Sequence, residues 1–111
     1  MSVVEKDPVV RDMLGAELAR CREMVAELGD SAAQLPRGSL SVRKKSYKAR
    51  EYKYHCLTYR EGAKVISRHV AAGDVDELDG QLDLRRRYEK ELRALRKRIA
   101  YLEKLLGVGK E

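Results

Sequence analysis

Residues 51–64 read EYKYHCLTYREGAK and bring together Tyr52, Tyr54, Tyr59, His55 and Cys56, in a chain with six tyrosines, two histidines and two cysteines. Three kinds of chemistry could use these residue types. An imidazole beside a thiol could make a nucleophile. In an extended segment, however, adjacent side chains point to opposite faces, so His55 is poorly placed to activate Cys56. Cys21, Cys56, His55 and His69 could supply zinc donors, but their separations match no recognised ligand spacing. The expectation is a chain with no catalytic residues, no metal and no cofactor, hence not an enzyme. The third chemistry is polyanion binding. Lys and Arg neutralise phosphates, and tyrosines between them stack on unpaired bases or hydrogen-bond to phosphate oxygens. The plainer use of the same residues is also open: charges face water because they must, and tyrosines fill a core that has no Phe or Trp.

The charge distribution bears on that choice. Residues 1–35 hold 4 Lys+Arg against 7 Asp+Glu, whereas residues 36–70 hold 10 against 2. Residues 71–84 hold 5 acids and no base, and residues 85–111 hold 10 bases against 4 acids. Positive charge is therefore concentrated around the tyrosines and in the last segment. Such blocks favour an anionic partner, nucleic acid before an acidic membrane. No run near 18 apolar residues and no signal-peptide pattern occurs, and the two cysteines form no C-x-x-C. The expectation is a cytoplasmic chain with two reduced thiols acting as small apolar side chains and with no small-molecule substrate.

At 111 residues, 38% of them charged, the chain has one domain's length but not the composition of a large core. It is expected to form a single domain, 1–111. Asp7 suits a helix N-cap and Pro8 the first helical position. Leu14, Leu18, Cys21, Val25 and Leu28 follow at alternating spacings of four and three, a heptad seam. Gly29 suits the C-cap, unless the helix persists toward Pro36, which should stop it. The periodicity then changes. Leu40 and Val42 alternate with polar residues, SYKAR reads as a turn, and residues 51–60 form the strongest strand. REGAK reads as a tight hairpin, and residues 64–70 as a third, β-branched strand. Asp74, with Glu77 three residues on, reads as a capping box opening a helix over 74–106, roughly 50 Å long at 1.5 Å per residue. Residues 107–111 read as a tail. The fold class is α+β: a helix over 1–35, a three-stranded antiparallel meander over 36–70 and a long C-terminal helix.

Two surfaces follow. In the sheet, Leu40, Val42, Tyr52, Tyr54 and Cys56 are expected to face a helix, leaving Arg43, Lys45, Lys53 and His55 outward with Tyr59. Lys64 and Arg68 complete the candidate nucleic-acid-binding set. Strand 3 stays ambiguous, because turning Ile66 and Val70 inward also turns Arg68 inward. In the last helix, Val75, Leu78 and Leu82 form one apolar run. Leu92, Leu95, Ile99, Leu102 and Leu106 continue from Tyr88 as a second. The two runs are out of phase, and Leu84 could bridge them. This seam could pair with the first helix of the same chain or, as a coiled coil, with a second copy. A homodimer is favoured because the last helix outlasts the first by about ten residues, which would leave Leu102 and Leu106 in water.

The motifs LPRGSL (35–40), YKYHCLTYREGAKV (52–65) and SRHV (67–70) resemble a group of small bacterial proteins. That group carries L-P-x-G-S-L, then Y-x-Y-x-x-x-x-Y-R-x-G-x-K-V, then S-R-x-V and a long charged helix. No activity carries over from it. Residues 38–85 also resemble, more weakly, the arm-type DNA-binding domain of tyrosine recombinases, through GSLSVRKK and YREGAKVISR. That resemblance implies a three-stranded sheet lying in a DNA major groove, with Arg43, Lys45, Lys53, His55 and Tyr59 as contact candidates. The family's Trp or Phe of the second strand is Tyr here, and the following helix is longer. The 111 residues do not include the recombinase catalytic domain, so Tyr59 is not read as a nucleophile. The expectation is a non-catalytic DNA-binding or DNA-associated accessory or regulatory protein of a bacterium, with a mobile element as one source. The alternative is a protein-interaction or scaffolding module that dimerises through its long helix.

Overall fold

The computed structural model describes residues 7–107, in the order α1 (Pro8–Ala33), β1 (Ser39–Tyr47), β2 (Arg50–Glu61), β3 (Lys64–Val70), a 3-10 turn (Ala72–Asp74) and α2 (Val75–Leu106). The expected start of the first helix before Asp7 and the tail beyond Gly107 lie outside the described residues. The fold is α+β, with a sheet of order β1-β2-β3 and both strand pairs antiparallel. No helix among the described residues is long and apolar enough to cross a membrane. The chain divides into two compact units, one of residues 34–86 and one of residues 1–33 with 87–111, so α2 contributes to both.

In the helical unit, Asp7 caps α1 as its sequence position implies. Its Oδ1 accepts from the Val9 N–H at 2.9 Å and the Val10 N–H at 3.4 Å. The helix runs through Gly29 to Ala33. Of the two ends the sequence leaves open, the helix takes the later one: the apolar repeat on either side of Gly29 carries more weight than the roughly 1 kcal/mol that Gly costs inside a helix. Leu18 and Cys21 of α1 cluster with Leu95, Leu102 and Leu106 of α2, flanked by Leu14, Val25, Leu28 and Ile99. Leu102 is 3% exposed and Leu106 8%. The overhang that favoured a second copy is therefore not present, because the chain's own first helix covers these leucines. Arg11 donates to the Leu106 carbonyl at 3.2 Å, satisfying a group that a helix C-terminus leaves open. Arg22 meets Glu103 at 3.0 Å, and Arg98 meets Glu17 at 3.4 Å.

In the sheet unit, two tight turns set the strand pairing. Tyr47 pairs with Arg50, so the loop between β1 and β2 is only Lys48–Ala49. Both loop residues have positive φ, 50° and 63°. That is the type I′ pattern, whose twist matches the flanking strands but which Asn-Gly fits best. Between β2 and β3 only Gly62 is positive, at 61°, as in a II′ turn. The connector before β1 is fixed by Gly38, with φ 120°. A Cβ there would collide with the Thr58 carbonyl oxygen and meet Tyr59 Cβ at 3.0 Å. The LPRGSL motif thus has a structural reason: only glycine lets this backbone lie against β2. Arg85 of α2 donates to the Leu35 carbonyl at 2.7 Å, and Arg86 reaches the Gly38 carbonyl at 3.5 Å. Arg85 also settles the phase step in α2. It is half-buried at the position between Leu82 and Tyr88, whereas Leu84 is exposed and does not bridge the two runs.

Two substitutions test these backbone constraints. Gly38→Ala should lower stability by about 2 kcal/mol or more, read from the urea midpoint, because it adds both a forbidden φ and a backbone clash. Lys48→Asn with Ala49→Gly should raise stability by about 1 kcal/mol by relieving left-handed strain at the loop.

Candidate nucleic-acid interface

The register decides which side chains share a face. Leu40 pairs with Leu57, Val42 with His55, Arg43 with Tyr54 and Lys45 with Tyr52. On the other side of β2, Cys56 pairs with His69, Leu57 with Arg68 and Tyr59 with Ile66. Directly paired residues project from the same face. One face, the tyrosine face, carries Arg43, Lys45 and Tyr47 from β1. From β2 it carries Arg50, Tyr52, Tyr54, Cys56, Thr58 and Arg60, and from β3 Ser67 and His69. The opposite leucine face carries Leu40, Val42, Leu57, Tyr59, Ile66 and Val70, together with Lys44, Lys53, His55, Lys64 and Arg68.

This corrects the expected faces. Leu40 and Val42 do not share a face with Tyr52, Tyr54 and Cys56. A turn centred on Lys48, as SYKAR reads, would pair Leu40 with Cys56. The observed loop is centred between Lys48 and Ala49, and that shift flips every β1 side chain relative to β2. The packed side of the sheet is the leucine face, where Leu57 and Val70 line a cleft with Leu35, Pro36 and Leu78. Leu57 is buried, Leu40, Ile66 and Val70 are half-buried, and Arg68 keeps its charge exposed at the cleft.

The seven candidate residues are therefore split. Arg43 and Lys45 stand on the tyrosine face, whereas Lys53, His55, Tyr59, Lys64 and Arg68 stand on the leucine face. The helix-seam candidates lie in the helical unit. Leu92, Leu95, Leu102 and Leu106 are buried there, and Ile99 is half-buried against the same cluster. The residues missing from the candidate set are Arg50 and Arg60, the tyrosines at 47, 52 and 54, and His69. The alternation within β2 grouped Tyr52 with Tyr54 correctly. Only their side relative to β1 was lost.

The tyrosine face has a consistent electrostatic character. Among the described residues, its strand positions hold Arg43, Lys45, Arg50 and Arg60 and no Asp or Glu. Both carboxylates of the strands, Glu51 and Glu61, project from the leucine face. There Glu51 lies 3.6 Å from Lys44, and Glu61 is cross-strand partner to Lys64. Tyr47 is 58% exposed and Tyr52 48%. Tyr54 stacks on His69 with ring centroids 5.9 Å apart and planes 23° from parallel. Lys48 Nζ sits 5.4 Å from the Tyr47 ring centroid. Lys45, Tyr47, Tyr52, Tyr54 and His69 together line a shallow groove. Beside it, Arg43 donates to Ser67 Oγ at 3.4 Å, and Ser67 exchanges a hydrogen bond with Thr58 at 3.2 Å.

Cys56 and His69 are direct cross-strand partners, a juxtaposition hidden by the sequence adjacency of Cys56 to His55. Cys21 and Cys56 are free thiols and both are buried. Among the described residues no group of three or more His, Cys, Asp or Glu is placed to hold a metal ion. Comparison of the chain with family models, with curated proteins and with solved structures gives no match.

Proposed function

We propose that this is a non-catalytic nucleic-acid-binding protein whose contact surface is the tyrosine face of the sheet. The observation that carries the reading is the segregation of charge by strand register. Both strand carboxylates project from one face, and the other carries four cations among exposed tyrosines. A face that merely needed solubility would mix the two signs, as the leucine face does. One without nearby carboxylates leaves its guanidinium and ammonium groups available to phosphates, and releasing the phosphates' counterions drives association. A DNA-associated accessory role in a bacterium, such as in a mobile element, fits a small basic chain of this kind. The resemblance of residues 38–85 to the arm-type domain implies contacts at Lys53, His55 and Tyr59, and the reading departs from it by placing the contact surface on the opposite face.

Affinity for nucleic acid over a salt series tests the reading. The slope of log K against log salt should be close to one for each phosphate neutralised. The double variant Lys45→Ala, Arg50→Ala should weaken binding and flatten that slope by about two. Lys53→Ala, an exposed cation on the leucine face, should leave both unchanged. Equal losses from both variants, or no binding at low salt, would contradict the assignment.

A further inference from the structure

Resting on that reading, we infer that the groove on the tyrosine face takes single-stranded nucleic acid, with unpaired bases stacked on its tyrosines. The electrostatic argument alone does not separate a single strand from a duplex, because both present phosphates. The aromatic groups do. A duplex offers groove-lining side chains the edges of its bases, whose faces are already stacked. A single strand offers base faces, and every base has one. Three tyrosines line one groove, and two of them expose about half of their surface. Against duplex phosphates only the tyrosine hydroxyls find partners, as hydrogen-bond donors, and the ring faces gain little. Against unpaired bases they bury apolar surface on both sides of the contact.

The spacing agrees. Tyr52 and Tyr54 stand two residues apart on β2, about 7 Å at 3.3–3.4 Å per residue. That is roughly twice the 3.4 Å rise of stacked bases, the gap needed for a ring and a base to alternate. Tyr54 is held by its stack on His69, so its ring is already oriented before a base arrives. Lys45 lies in the same groove as a phosphate partner, and Lys48 stands over Tyr47 at its end.

The test uses the full chain with a 12-residue oligothymidylate and with a mixed-sequence duplex of the same length. Both are titrated at low salt by anisotropy of a label on the nucleic acid. The single strand should bind at least tenfold tighter. Tyr52→Ala should weaken single-strand binding roughly five- to hundredfold, the range found when a stacking aromatic is removed. It should change duplex binding by less than twofold, and Tyr52→Phe should keep single-strand binding within about threefold of the parent. The chain has no Trp, so tyrosine emission should also be quenched as the single strand binds. Equal or tighter duplex binding, with no effect of Tyr52→Ala, would overturn the single-strand inference and leave the nucleic-acid reading standing. Binding to neither probe would overturn both.

Discussion

The pairing of Tyr47 with Arg50 across the loop Lys48–Ala49 fixes which way every residue of β1 points relative to β2. Side chains alternate along a strand, so a slip of one residue in that loop would move Arg43 and Lys45 from beside the tyrosines to beside Leu57. The same slip would bring Leu40 to the tyrosine face and uncover the leucine face. The register is thus held from two directions. The loop has the handedness that tight hairpins require, although neither residue in it favours positive φ. Burial of Leu57 with Leu40 and Val70 rewards the pairing that results.

A second constraint fixes where the sheet begins. The connector before β1 lies against β2 so closely that only Gly38 fits, and Arg85 and Arg86 bind its carbonyl oxygens. These two arginines belong to a basic run, Arg85–Arg87, that looks like part of a polyanion site. At least two of its three guanidinium groups are turned to the protein's own backbone. In the helical unit, Arg11, Arg22 and Arg98 likewise meet groups of the same chain. Positive charge in this protein therefore has two uses. In the helices several cations hold groups of the same chain, whereas on the tyrosine face the cations project among exposed rings.

The elements were legible in the sequence because each has a strong local signal. Asp7-Pro8 marks a helix start, apolar residues at spacings of three and four mark the helices, and Gly62 marks the second hairpin. Where the reading stayed open or failed, the deciding information was not local. At Gly29 residue type alone leaves the helix end open, and the apolar pattern on both sides carries α1 past it. Arg85 was invisible as a packing residue because its stem is apolar and its head is not, and its partner at Leu35 lies 50 positions away. The face assignment failed through one residue of turn geometry. Lys48–Ala49 lacks the Asn-Gly signature that would have placed the turn, so two strands with correct internal alternation were joined in the wrong phase.

The most direct test of the account is to ask which rings feel the ligand. The chain has six tyrosines, two histidines and no Phe or Trp, so its aromatic NMR region is sparse enough to assign residue by residue. When a short single-stranded oligonucleotide is titrated into the protein, the ring signals of Tyr47, Tyr52, Tyr54 and His69 should shift together. Those of Tyr59 and His55, on the opposite face, should stay in place with those of Tyr88 and Tyr101. Shifts confined to Tyr59 and His55, or an aromatic spectrum that does not change at saturating ligand, would contradict the account.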